Sequence, residues 1–469
     1  MADGFDLLIR APRVITGGGE GEIAAAIGIS QGRITAITPL DRAAGAAATA
    51  TMPTPRATPP AAATRTAATV LDLDSGVVLL PGLVDSHVHV CEPGHTEWEG
   101  FATATRAAAA GGITTLVDMP LDSVPSTVSV TALEVKRRAA AGQCHVDVGF
   151  WGGVIPGNLA ELAPMHRSGV LGFKCFLIDS GSIHFPAVAD RELAEALGVL
   201  SGLGSPLLVH AESGLAAAAV PAASGPGYAD YLASQPRGLE NLAIAQVIEA
   251  ARATGGRAHV VHLSSSDALP MIESARRDGV AVTAETCPHY LVLTAEEIPD
   301  GATAAKCSPP IREAANRELL WDGLRDGIVD LVVSDHSPST PAMKELDSGD
   351  FGAAWGGISS LQLSLPLVWT AALSRGFSLS DVTGWMSTQP ARLAGLRRKG
   401  RIAVGCDADF CVFAPGESFV VDPDQIHHRH PVTPYSGHTL TGVVRGTILR
   451  GEWTEPSRPR GRLLTRNAT

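Results

Sequence analysis

The sequence predicts an α/β fold: a (β/α)8 TIM barrel with a small β-sandwich domain built from both chain termini. Three observations predict it. Eight short apolar runs alternate with helical segments along the middle of the chain, the pattern of parallel βα units. Those repeats fill roughly 250 residues or more, the size of such a barrel. Both chain ends carry instead short β runs separated by glycines and turn residues. A doubly wound sheet is the main rival architecture.

Taken in order, the opening FDLLIRAPRVITGGGEGEIAAAIGISQGRITAITPL alternates apolar and polar residues between Gly clusters and reads as an antiparallel meander. Residues 43–69 are Ala/Thr/Pro-rich, hold no acid, and have only Arg56 and Arg65 as charges, so they read as a low-complexity insertion. The eight candidate strands end at LVDSHVH, TTLVDMP, VDVGFWGG, GVLGFKCF, PLLVHAE, HVVHLSS, AVTAETCPH and VDLVVSDHSP. Helical stretches separate them. EGFATATRAAAAGG is expected to begin near Glu99 and stop at Gly111-Gly112, and SDALPMIESARRDG to open on an N-cap at Ser266. KGRIAVGCDADFCVFAP and LTGVVRGTILRGEW then return to β patterning. The expected division is 1–76 and 395–469 for the two parts of the β domain, with 77–394 as the barrel.

Composition narrows the function. The chain has 469 residues, enough for one large core and a smaller one. Lys+Arg 36 against Asp+Glu 48 gives a formal charge of −12, which argues against a nucleic-acid partner and for a small substrate. The start MADGFDLLIR does not read as a secretory signal, and no segment reaches about 18 uninterrupted apolar residues. Seven scattered cysteines without a CxxC pair fit reduced thiols. A cytoplasmic protein with no membrane partner is expected.

The chemistry is concentrated at the strand ends. His87 and His89 are two apart in a strand, so both project to one face, where two imidazoles can grip one ion. HxH alone is weak evidence. Lys174, His210, His262 and Asp335 close four other apolar runs, however, and buried imidazoles and charges are costly without partners. Five of eight strand ends bearing such residues is hard to explain as packing. His259, three before His262, is expected on the opposite face as a structural residue, while His289 and His336 read either as pocket-lining or as supports behind a ligand.

At this point the motifs GLVDSHVHVCEPGHTEWEG, GFKCF, ETCPHY, AKCSPPIR, LVVSDHSP and AWGGI resemble the amidohydrolase superfamily and, within its cyclic-amide hydrolases, the allantoinases. The resemblance runs from about Phe5 to Glu452 apart from the insertion. HxH and the terminal Asp mark only the superfamily; EPGHTEWEG, KCSPPIR and AWGGI are narrower. It implies hydrolytic opening of the allantoin ring to allantoate. It also implies two divalent ions, one on His87, His89 and Asp335 and the other on His210 and His262, bridged by Lys174 as N6-carboxylysine formed with carbon dioxide. An ammonium cannot ligate a cation, whereas its carbamate is a carboxylate-like bridge. Zinc is expected, and cobalt, manganese or iron also suit the ligands. The resemblance further implies that Asp335 is the catalytic base and then acid, that Ser308, Gly356 and Gly357 contact substrate, and that the protein is a homo-oligomer, a tetramer.

The chain departs from the family pattern in places. Asp122 stands where the family commonly has the Asn of MPLN, and is expected at the substrate as an acceptor of ureido hydrogens. Asp179 stands where hydantoinases carry a tyrosine that donates to the oxyanion; an ionised carboxylate cannot donate, so that work falls to the metals, Ser180 or backbone. Ser339 replaces a common cysteine. The nearest rival is a hydantoinase or dihydropyrimidinase; dihydroorotase lacks support because Glu92-Pro93-Gly94 replaces the arginine its substrate needs. A non-catalytic scaffold that lost its metals is the rival of another class, yet all six ligand positions are intact.

Overall fold

The computed structural model describes residues 4–19, 21–40 and 67–466. Most of the expected 43–69 insertion lies outside the described residues. Its last three residues, Ala67–Thr69, begin a strand, because they pair in parallel with the first strand of the chain.

The strands fall into two kinds. β1 (Phe5–Ile15), β2 (Glu22–Ser30), β3 (Arg33–Pro39), β4 (Ala67–Asp72) and β5 (Val78–Pro81) precede a parallel series. That series is β6 (Leu83–Val88), β7 (Ile113–Asp118), β8 (Asp147–Phe150), β9 (Gly152–Gly153), β10 (Phe173–Phe176), β11 (Pro206–His210), β12 (Arg257–Val260), β13 (Val282–Thr286) and β14 (Leu331–Val332). β15 (Phe410–Val420), β16 (Thr439–Leu449) and β17 (Glu452–Trp453) follow.

The two chain ends share one eight-stranded sheet in the order β17-β16-β15-β5-β1-β2-β3, with β4 on β1. Alternation in these strands buries Ile9, Ile27, Leu79, Phe410, Val412 and Ile448 in one cluster. β5 belongs here rather than on the barrel side of residue 77. It pairs antiparallel with β15 from Pro81–Phe410 to Val78–Phe413, so VLLP, although buried on both faces, joins the two ends of the chain.

The parallel strands are buried apart from Arg257 and Thr283, as expected where helices cover both faces. They form a three-stranded sheet, β6-β7-β8, and a six-stranded one, β9 to β14 in sequence order. Only Trp151 separates β8 from β9, and its N–H donates to Asp118 O at 3.0 Å. At the other edges a parallel bridge links Val88 to His336, and His89 N–H donates to His336 O at 2.8 Å. The α/β alternation read from sequence is therefore present, with each of the eight apolar runs in this series.

Two helix starts differ from expectation. The first helix runs Phe101–Ala110 behind Gly100, whose φ of 121° no side chain would adopt easily. Glu92 Oε2, not Glu99, accepts the Phe101 N–H at 2.8 Å and so occupies the positive helix end. In the other, Ser265 takes the cap position of a 3-10 turn, Ser266–Ala268, that leads into the helix Leu269–Arg277.

A buried ion cluster joins the sheets. Lys399 Nζ lies 2.6 Å from both Asp147 of β8 and Asp409 and 3.0 Å from Asp407, and Arg450 Nη1 lies 2.6 Å from Asp147. The ammonium fills the space between three carboxylates, so this acidic group is a structural joint. Lys399→Ala would leave those carboxylates buried without their shared cation. A loss of roughly 3–5 kcal/mol is expected in urea unfolding, and a loss below about 1 kcal/mol would contradict the joint.

Candidate metal centre

The side chains singled out in the sequence meet in one cavity of about 300 Å³ beyond the C-terminal ends of the parallel strands. His87 lies in β6, Lys174 in β10, and His210 closes β11. His89, His262 and Asp335 stand just past their strands, the last two with φ of 39° and 44°, and all three line the cavity.

The geometry clusters them. His87 Nε2 is 3.2 Å and His89 Nε2 3.8 Å from Asp335 Oδ1. The ring centroids of His87 and His262 are 5.5 Å apart, and those of His210 and His262 4.5 Å. Lys174 and Asp122 line the same space.

Three imidazoles are each anchored by a carboxylate through one ring nitrogen. His87 Nδ1 meets Glu285 Oε1 at 2.5 Å, His89 Nδ1 meets Asp122 Oδ2 at 2.7 Å, and His210 Nε2 meets Glu212 Oε2 at 2.7 Å. Each carboxylate accepts the N–H and fixes the ring, leaving the other nitrogen as a lone-pair donor. Burial would raise the Glu285 carboxyl, but His87 and His259 outweigh it and hold it at about 2. His259, expected on the opposite face as a structural residue, shares this carboxylate with His87: its Nε2 donates to Glu285 Oε2 at 2.9 Å and Nδ1 faces Thr283 Oγ1 at 2.8 Å.

The remaining groups have no partner. Lys174 Nζ and His262 Nδ1 are both buried and unbonded. Burial lowers the Lys174 ammonium to about 8 against the pull of Glu285 and Asp335, so a fraction of the amine is neutral near physiological pH. Burial, His210, Lys174 and His87 together hold the His262 imidazole well below its usual range. Neutral imidazoles, a carboxylate and a deprotonatable amine around one void form a donor set that fits divalent cations. His87, His89 and Asp335 form one such group by proximity alone.

Around this core the outer residues sort themselves. Ser308 and Gly356 line the cavity, and the Ser308 hydroxyl reaches Gln235 Oε1 at 3.2 Å. Gly357 does not line it. A Cβ there would sit 2.4 Å from Ser337 O, so this glycine permits a close backbone approach. Asp122 also lines the cavity, and its Oδ2 is bonded to His89. Asp179 accepts the Gly181 N–H at 3.0 Å, and the Ser180 hydroxyl donates to Phe185 O at 2.7 Å, so that hydroxyl proton is already used. His336 is held by fully buried Glu99 at 3.2 Å, whereas His289, also buried, bonds through neither ring nitrogen.

The loop after His89 backs one wall of the cavity through Trp355. His95 stacks on Trp98 at 4.4 Å, and Trp98 meets Trp355 edge-on at 5.0 Å; Trp355 lines the cavity. Buried Lys344 donates to Lys306 O and Trp355 O at 3.0 Å, and Lys306 Nζ to Ala354 O at 2.6 Å, which ties the KCSPP and AWGG segments together. Sequence reasoning missed Glu285, Glu212, Lys306 and Lys344. A charge inside a buried apolar run, as in AVTAETC, was the available signal.

A family model described as "Amidohydrolase family" matches residues 78–454. An allantoinase of Streptomyces avermitilis is 54% identical over 470 residues, covering 99% of this chain and 100% of that protein. The allantoinase of Saccharomyces cerevisiae is 47% identical over 384 residues, 81% of this chain and 83% of its own. Among solved structures, an L-hydantoinase (dihydropyrimidinase) from Arthrobacter aurescens superposes with a TM-score of 0.86 at 30% identity, covering 98% of this chain and 100% of that one. A dihydropyrimidinase from Brevibacillus agri gives 0.81 at 28% identity over 98% of both.

Glu285→Gln exchanges a charged acceptor for a neutral one between His87 and His259. Removing such support typically weakens metal retention about 10–100-fold, and chelator competition on the folded variant is expected to show a loss in that range. Unchanged retention would separate Glu285 from the site.

Proposed function

The chain belongs to the amidohydrolase family, and from that membership we propose that it hydrolyses the ring of allantoin to allantoate, a step of purine degradation. The observation that carries this reading is the 54% identity, end to end, with an allantoinase. The hydantoinases among the solved structures share the fold at lower identity, and Asp179 stands where their oxyanion-donating tyrosine is expected.

His87, His89 and Asp335 would hold one divalent ion, His210 and His262 a second, with Lys174 bridging both as N6-carboxylysine. Carbon dioxide adds to the neutral Lys174 amine, which loses a proton and gains a carboxylate. Zinc suits this mixture of imidazole and carboxylate donors, as do cobalt, manganese and iron. Ions held there would supply Lewis acidity for a carbonyl and lower the pKa of water toward about 7.

The chain's own residues do the rest. Asp335 takes the proton of the water that adds to a ring amide carbonyl, and returns it to the ring nitrogen as the carbon–nitrogen bond breaks. The new carboxyl carries the water oxygen. Backbone groups near Ser308 and Gly356 offer hydrogen bonds to the flat ring amides, and the Trp98–Trp355 pair narrows the opening.

The two parallel sheets are read as one closed (β/α)8 barrel from Leu83 to about residue 394, with residues before Gly82 and after 395 as the β domain. A homo-oligomer, a tetramer, and a cytoplasmic location are further parts of the proposal. No helix among the described residues is long and apolar enough to cross a membrane, and the seven cysteines are buried free thiols, as suits a reducing compartment.

Purified, metal-loaded protein should be assayed on allantoin, 5-substituted hydantoins, dihydrouracil and dihydroorotate. Allantoin is expected to give the highest kcat/KM, and brisk hydantoin turnover without allantoin turnover would overturn the assignment. Lys174→Ala is expected to lose both ions and all measurable turnover; a variant retaining two ions per chain would refute the bridge.

A further inference from the structure

Asp122 was expected to read the substrate, but one of its two carboxylate oxygens is already engaged. Oδ2 lies 2.7 Å from His89 Nδ1, and both side chains are about nine-tenths buried. That contact decides which way His89 works: with Nδ1 donating to Asp122, Nε2 is the nitrogen left to face Asp335, at 3.8 Å. The backbone commits to this arrangement. Asp122 sits at φ 55°, a conformation Asp tolerates better than most residues, and the turn is pinned by Val124 N–H on Pro93 O at 2.8 Å and Thr127 N–H on Pro120 O at 2.7 Å.

An amide at position 122 could accept the same N–H through a neutral oxygen. A carboxylate makes a charge-assisted bond roughly twice as strong and donates more electron density through the ring to Nε2. The other two anchored imidazoles also use carboxylates, Glu285 and Glu212, so the aspartate completes a set of three.

We propose that Asp122 is a positioning residue: through His89 it fixes the tautomer and direction of Nε2 and strengthens retention of the cation that His87, His89 and Asp335 would hold. This rests on the metal reading above. Its rival is the direct role, in which the same carboxylate accepts ureido hydrogens of the substrate.

Asp122→Asn keeps the shape and removes the charge; Asp122→Ala removes the acceptor. Zinc affinity of each full-length protein is measured by chelator competition, and kcat and KM for allantoin are measured across free zinc. The Asn variant is expected to lose about 10–100-fold in affinity at one of two sites, with the Ala variant losing more. Added zinc should restore kcat in the Asn variant while KM stays within about twofold of wild type. Unchanged zinc affinity with a KM raised several-fold would overturn the proposal in favour of substrate contact. A loss confined to the Ala variant, with the Asn variant binding zinc as wild type does, would reduce Asp122 to packing and overturn it as well. Wild-type protein that binds no zinc would sink the metal reading itself, and the proposal with it. If the Asn variant does not fold, the Ala variant and wild type still give the zinc comparison.

Discussion

An imidazole is useful to a cation only when the correct nitrogen faces it, and a buried ring keeps that orientation only if its other nitrogen is held. The site depends on this constraint. Glu285, Asp122 and Glu212 each hold one ring nitrogen of His87, His89 and His210; the first two reach their histidines from other strands, the third from two residues further along the chain. Glu285 comes from β13, Asp122 from the turn after β7, and Glu212 from the segment after β11. The parallel sheets matter to function because they bring these separate strand ends to one rim.

The same rim carries an electrostatic imbalance. Buried Lys174 Nζ and His262 Nδ1 have no hydrogen bond, while Asp335 and Glu285 bring negative charge close to Lys174. In a low-dielectric interior an unbonded amine and imidazole destabilise the fold unless something else occupies the space between them. Cations with a carbamylated lysine would turn each of these orphans into a ligand, and would convert the cluster from a burden on stability into a binding site.

Much of this was legible from sequence, for stated reasons. Strand ends could be found because parallel strands buried on both faces are short apolar runs, and a His, Lys or Asp closing such a run stands out. The supports behind them were harder to see. Glu285 and Glu212 pair with histidines across space or around a turn, and no periodicity records that. Asp122 stands out in the sequence only as a departure from the family pattern, and the histidine it bonds, His89, is 33 residues away. β5 falls on the barrel side of the expected boundary at residue 77, but its partner, β15, lies more than 300 residues downstream. Gly357 looked like a ligand contact and instead makes room for Ser337.

Anomalous diffraction from crystals of the metal-loaded protein, recorded at the metal edge, tests the central claim most directly. The account predicts two peaks roughly 3.5–4 Å apart, flanking a Lys174 side chain extended by a carbamate, one against His87, His89 and Asp335 and the other against His210 and His262. A single peak beside an unmodified Lys174, in protein that turns over allantoin at its full rate, would contradict it.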